Sequence, residues 1–512
     1  MKNTIIFFIL AVAVANAQNV TITPEGITPL TAASEYQRLN YDDIMALPSP
    51  EAGDMAYDLT FKCMRFYNGN QWTCSYKSPY INEGEVALIS TYGGPGLDSS
   101  ADLIYDEDGN IFTTGYYTDS LIIGDTLLHA NNNTQDIYLA KFTKDGNLVW
   151  AISSGGSGFD LPTAIHFDQN GDLLMTGLFN GTTNFQGTTI TSEGSYDGFL
   201  AKFTEDGDLI WLKSFGGLEF DSGISLDTDN SNNIYIAGNY TGTATFEAVS
   251  KTSQDGQDIF LAKYNDLGVL QWIASAGGTN TDRVVKVMLT NDNKILLLGE
   301  FQNDISFGSL SETSDGFYDI FKVMYDPIAL EWDNLSRYGS SGDVSLAHAE
   351  IDSSNNLYLA GSFKNTLTIG PFSKSSEGDF DLFAAKVLAN GSVSFLKSFG
   401  SEYLDKNTSM VVNDKGEIFL SGYFSQTGNF EGIQKLNNGI YDIYIMKLLS
   451  TGSLSWVHSF GGTGAELNRK LTKNNEGDIF GTGSFESNFY LGNSYVTKIG
   501  SGSDLYMFRL QE

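Results

Sequence analysis

From about residue 85 to its end the chain is written in short runs of alternating or continuous apolar residues, broken by Asn-Gly, Asp-Gly and Gly-Gly. Alternation at that length marks a half-buried strand, and a brief apolar stretch between turn residues marks one buried on both faces. The stretch from Ala164 to Phe215 shows the pattern. Ala164–Phe167 is a short β-rich run, and Asn170-Gly171 turns the chain into Asp172–Phe179. A polar loop follows, then Phe199–Phe203, the Asp206-Gly207 turn, and Leu209–Phe215, which carries Trp211. Four strands are predicted. Nowhere does a helical period persist, which excludes helical repeat arrays.

The same phrases return every 61 or 62 residues. An aspartate heads the third strand at Asp136, Asp197, Asp258, Asp319, Asp381, Asp442 and Asp504, making seven copies. A glycine phrase begins at Gly93, Gly155, Gly216, Gly277, Gly339, Gly400 and Gly461. A large side chain stands five residues before it at Trp150, Trp211, Trp272, Phe395 and Trp456, with Trp332 offset by two. Four antiparallel strands per repeat of this length predict a propeller blade. Aligned on Asp504, the chain stops before its seventh fourth strand, while Leu88 stands five residues before Gly93 and Gly84 matches the turn glycine Gly452. The expected fold is therefore all-β: a seven-bladed β-propeller of four-stranded antiparallel blades over residues 83–512, closed by a strand at 85–91 that completes the last blade.

These phrases resemble the bacterial seven-bladed propeller repeats labelled SBBP, and the resemblance covers all seven copies. It implies an exported propeller, extracellular or attached to the cell surface. Such proteins mostly have no assigned reaction, so the resemblance carries no catalytic residue across.

The N-terminus agrees with export. Lys2 precedes the apolar run Thr4–Val14, and Ala15-Asn16-Ala17 offers small residues to a signal peptidase, which predicts a leader at 1–17. Residues 18–54 read as a polar arm or linker, and 55–82 as a small β-hairpin turning at Asn68-Gly69. With a two-residue turn, partners sum to 137, which sets Cys63 opposite Cys74; in an exported chain that pair is expected to oxidise. The mature protein is expected to be secreted, surface-bound or periplasmic. No later run reaches the roughly 18 apolar residues of a membrane span. Acidic residues outnumber basic ones 62 to 29, a formal charge of -33, which argues against nucleic acid and anionic lipid as partners.

Candidate chemistry is sparse. An acid stands at one loop position in six repeats, Asp98, Asp160, Asp221, Asp282, Asp405 and Glu466, and one residue early in the remaining repeat, at Asp343. Arranged around an axis, these would form an acidic ring at the channel mouth, a candidate calcium site; the competing reading is that each caps its own loop. The third-strand aspartates read as loop caps. The histidines, His129, His166, His348 and His458, have no metal-ligand spacing, and there is no nucleophile elbow or phosphate loop. No catalytic residue, metal ligand set or further cofactor is assigned. The glycine-phrase loops and the loops before the third strands should share one side, opposite the tight turns, and binding should use that looped side. Two functions follow: a non-catalytic recognition or scaffold propeller binding protein or glycan, or a carbohydrate-active hydrolase or lyase using acids at the channel mouth.

Overall fold

A computed structural model of the chain describes residues 84–131, 134–474 and 477–511. Before them it describes only 20–23, 26–29, 37–39, 44, 46–47, 55–58, 63–67 and 72–74. The chain divides into two compact parts, 1–82 and 83–512.

In the smaller part, Val20–Thr23 pairs with Gly26–Pro29. Gln37–Leu39 runs parallel to Met55–Asp58, which pairs antiparallel with Cys63–Tyr67, and that strand with Trp72–Cys74. The register of the last pair corrects the expectation for the cysteines. Tyr67 faces Trp72 and Arg65 faces Cys74, while Cys63 faces Asp58 on the other side. A slip of two residues keeps every side chain on its own face of the pleat, so alternation alone could not separate the two registers. The cysteine side chains, the leader at 1–17 and most of the arm lie outside the described residues.

The larger part is β throughout, with no α-helix among its described residues. Every repeat has a first strand: Asp98–Tyr105, Asp160–Phe167, Asp221–Thr228, Asp282–Leu289, Val344–Ile351, Asp405–Val412 and Glu466–Lys473. Each pairs with a second, the second with a third and the third with a fourth, all antiparallel, as in Asp160–Phe167, Leu173–Phe179, Asp197–Phe203 and Leu209–Gly217. The second and third strands are the core. All seven residues of Leu173–Phe179 and of Asp197–Phe203 are buried, which is why they read as continuous apolar runs. In the last repeat the order is Glu466–Lys473, Ile479–Phe485, Asp504–Gln511, Glu85–Tyr92, so the strand nearest the start of this part lies antiparallel to the C-terminal one. No sheet returns to its own first strand among the described residues. The first strands instead lie side by side in order, and that of repeat seven lies beside that of repeat one.

The expected polar loop between second and third strands is a further hairpin, such as Thr182–Phe185 with Thr188–Thr191. In repeat three it continues the long strands Ile234–Phe246 and Val249–Tyr264. These hairpins escape the sequence pattern because four-residue strands rich in Thr, Ser and Asn bury little; Thr183 and Phe185 are covered, while Thr182 and Asn184 are exposed.

The glycine phrase is where one repeat meets the next. Gly155 and Gly156 end a fourth strand and pair with Asn184 and Thr183 of the following hairpin, and Gly277 and Gly278 pair likewise with Ser306 and Ile305. A Cβ on Gly156 would stand 1.8 Å from the Thr182 carbonyl oxygen, so only glycine admits that backbone. The turn glycines also join neighbouring repeats, since Gly207 packs on Trp150 of the repeat before it, Gly268 on Trp211, and Gly84 on Trp456. Gly84 shares the left-handed backbone of its counterparts, with φ of 92° against 87° at Gly207 and 82° at Gly452.

Candidate functional site

The repeated acids stand at the starts of the first strands, and their geometry follows from the glycine phrase. Oδ2 of Asp98 accepts the Gly94 N–H at 2.8 Å, Asp160 that of Gly156 at 3.0 Å, and Asp221 that of Gly217 at 2.8 Å. Asp282 takes Gly278 at 2.8 Å, Asp405 takes Ser401 at 2.9 Å, and Glu466 takes Gly462 at 2.8 Å. Six of the seven thus close a loop of their own, four residues back, and these six are fully buried. Asp343, one residue early, is only half-buried. The carboxylates are not gathered: among the described residues no group of three or more His, Cys, Asp or Glu is placed to hold a metal ion.

A second acid lies behind each of these loops. The third-strand aspartates accept N–H groups from their own loops, as Asp197 does from Glu193 at 3.1 Å and Asp381 from Glu377 at 3.0 Å. The first glycine of each phrase rests on one of them: Gly155 on Asp136, Gly216 on Asp197, Gly93 on Asp504. Burial pushes the carboxyls of Asp98, Asp160 and Asp282 up to about 8, and those of Asp221 and Asp405 up to about 7. The same cause lifts Asp136, Asp197, Asp258, Asp381 and Asp442 to about 6. Repeat four differs, since Arg337 takes the place held elsewhere by Ser153, Ser214 or Ser275 and binds Asp319 at 2.7 Å and Asp315 at 2.6 Å.

Farther along every first strand the register slips by one residue. The residue after the slip is Asp102, Ala164, Ser225, Lys286, His348, Ser409 or Lys470. Such a bulge re-aims the side chains that follow it, and several of these acceptors take an N–H from the next first strand. Asp102 takes that of Ile165 at 3.0 Å, Ser225 that of Val287 at 3.2 Å, and Ser409 that of Leu471 at 2.9 Å. Two residues on, Asp227 takes the Leu289 N–H and Glu350 the Val412 N–H, both at 2.8 Å. Lys470 of repeat seven binds Asp102 of repeat one at 3.0 Å. Of these residues the sequence singled out only His348, as a histidine without metal-ligand spacing; the signal that could have found the others was one repeat position holding acid, base, hydroxyl and alanine by turns.

The looped side carries side chains that depart from the repeat, exposed Phe159 and the Tyr196–Phe220 ring pair among them. Arg283 of repeat four lies 5.0 Å from the ring centre of Tyr318, and Lys406 of repeat six 3.3 Å from that of Phe380 in repeat five. Phe317 and Tyr403 are 62% and 36% exposed. Beside Arg337 runs a polar groove of about 530 Å³, lined by Asp315, Ser341, Thr366 and Thr368. Glu300 is buried, accepts the Leu346 N–H at 2.6 Å, and has its carboxyl pushed up to about 7 by that burial.

No family model matches the chain. Over 303 residues it is 24% identical to an uncharacterised WD repeat-containing protein of Acanthamoeba polyphaga mimivirus, covering 46% of this chain and 22% of that one. Over 413 residues it is 22% identical to the regulatory protein FlaEY of Caulobacter vibrioides, covering 74% and 42%. The chain spans less than half the length of either relative. Among solved structures, a polysaccharide lyase aligns over 93% of this chain and 96% of its own at 9% identity, with a TM-score of 0.44. No helix among the described residues is long and apolar enough to cross a membrane.

Proposed function

We propose that residues 83–512 form a closed seven-bladed propeller of the SBBP type, exported from the cell, whose looped side is a recognition surface for a protein or glycan. The pairing of Glu85–Tyr92 with Asp504–Gln511 and the adjacency of first strands seven and one support the ring. One observation carries the function. The polar groups that repeat most regularly are spent on capping their own loops, whereas aromatic and cationic side chains that do not repeat, among them Phe159, Arg283, Phe317 and Tyr403, stand exposed on the loops and strand starts of the same side. A rigid scaffold carrying irregular loops is the arrangement of a binding protein. The test is a glycan array and a surface-protein pull-down with the mature chain, beside Arg283→Ala and Lys406→Ala. Binding that both substitutions weaken, with no product released, supports the reading; binding indifferent to both overturns it.

A second reading rests on Glu300. A buried carboxyl that keeps its proton near neutrality, with Arg283 and Asp343 in electrostatic reach, is suited to general acid catalysis on a carbohydrate. Release of new sugar ends by the intact chain and not by Glu300→Gln would establish it over recognition.

A further inference from the structure

Repeat four departs from the others two residues before its glycine phrase. A hydroxyl stands at that position in every other repeat, as Thr91, Ser153, Ser214, Ser275, Ser398 and Ser459, and Arg337 stands there in this one. Six repeats build the same strand and the same junction with a hydroxyl, so construction does not call for a guanidinium. The arginine is half-buried and held in place. Its Nη1 binds Asp319 at 2.7 Å and Asp315 at 2.6 Å, its Nε lies 3.9 Å from Glu312, and its Nη2 donates to nothing among the described residues. Asp315 is fixed in turn, since its own N–H is held by Asp319 at 2.9 Å.

Arg337 and Asp315 line the groove of about 530 Å³ formed where the fourth strand of repeat four meets the outer hairpin Thr366–Ile369 and Phe372–Ser375 of repeat five. Gly339 and Gly370 add no side chain to its lining, and the remaining lining residues are Ser341, Thr366 and Thr368. Thr366 Oγ1 lies 3.0 Å from the Ser375 hydroxyl, Thr368 Oγ1 2.9 Å from that of Ser373, and Ser341 Oγ accepts the Thr366 N–H at 3.3 Å. A hydroxyl both donates and accepts, so each keeps capacity toward the groove. The volume falls within the roughly 300–1,000 Å³ of small-molecule sites, but the usual apolar lining is missing among the described residues, and a lining of hydroxyls, one acid and one guanidinium matches a ligand made of hydroxyls.

Charge narrows the ligand further. The two charged groups of the lining cancel, and Asp319, wholly buried behind them, adds a negative charge. An anion meets that surplus in a chain of formal charge -33, and a cation reaching Asp315 meets the guanidinium already bound to it. We propose that this groove is a subsite for a neutral sugar, with Arg337 Nη2 donating to a sugar oxygen, Asp315 accepting from a sugar hydroxyl, and Ser341, Thr366 and Thr368 completing the contacts. The proposal rests on the recognition reading and deepens it, by naming neutral glycan as the ligand class and the junction of repeats four and five as the place.

The test compares the intact chain with Arg337→Ser, Thr368→Val, Arg283→Ala and Lys406→Ala. The probes are neutral gluco-, manno- and galacto-oligosaccharides, uronate oligosaccharides and a lysine-rich peptide, each titrated calorimetrically. Arg337→Ser restores the residue of five other repeats and should fold as they do, and Thr368→Val keeps the shape of an exposed side chain. The intact chain is expected to bind a neutral oligosaccharide in preference to the uronates and the peptide, with affinity falling at least about tenfold in Arg337→Ser and about threefold in Thr368→Val. A preference for uronate or peptide, no binding of any neutral probe, or equal binding by Arg337→Ser overturns the proposal. Binding that Arg337→Ser spares but Arg283→Ala and Lys406→Ala weaken overturns the groove and leaves the recognition reading standing. Binding lost in Arg337→Ser yet indifferent to the other two supports the groove and overturns that reading.

Discussion

The two ends of each first strand behave differently. At its start an acid recurs in all seven repeats, and six of these are fully buried and closed onto an N–H four residues back. Past the bulge the same strands carry Asp102, Ala164, Ser225, Lys286, His348, Ser409 and Lys470, with no common chemistry. The lesson is that regularity here belongs to construction. A group needed to fold every repeat recurs, and a group that serves one place in the series of first strands is found once.

The largest effect is expected at the junction of repeats. A Cβ on Gly278 would lie 1.7 Å from the Asp304 carbonyl oxygen, so Gly278→Ala must push a backbone apart and should cost about 3 kcal/mol in urea unfolding. If it is neutral, the starts of the first strands are not held by construction at all. Next comes the middle of the strand. Asp102→Ala strands both Lys470 and the Ile165 N–H and should cost about 2–3 kcal/mol, while Ser225→Ala, which loses one neutral hydrogen bond, should cost about 1 kcal/mol. Equal losses at the two would show that charge in the middle of these strands counts for nothing.

A third prediction uses pH. Burial pushes five of the acids at the strand starts, Asp98, Asp160, Asp221, Asp282 and Asp405, up to about 7 or 8, above the unfolded value, so the folded chain binds the extra protons. Their favourable contribution is complete below the unfolded pKa and is lost as pH rises through the folded one. Tm should therefore fall between about pH 4 and pH 8. Asp282→Asn keeps an oxygen for the Gly278 N–H but removes the titration, so it should flatten that decline; an unchanged slope would mean these acids titrate normally. The smallest stability effect belongs to the looped side. Arg283→Ala, an exposed change, should stay within about 0.5 kcal/mol while weakening ligand binding about tenfold.

Much of the framework was legible. Strand length and the space between sheets impose one spacing on every repeat, so Gly277, Asp282 and Trp272 recur in step with their counterparts. That position left open whether Asp282 joins an acidic ring or caps its own loop, and its bond to the Gly278 N–H shows that it caps the loop. The outer hairpins were not legible, because strands such as Thr182–Phe185 bury too few apolar residues to show a period. Nor was the register of Cys74, since a shift of two residues leaves the pleat unchanged. The ion pair of Lys470 with Asp102 was hidden for a different reason: the two stand in the last and first repeats and share only a position after a bulge.

Local order in this protein is written in the chain itself. Turn glycines, alternating strands and loop caps act over a few residues, and each repeat restates them. What tertiary structure alone decided is which unlike side chains come to face one another. That depends on the order in which the first strands lie side by side, and the ion pair of Lys470 with Asp102 exists only once that order is set.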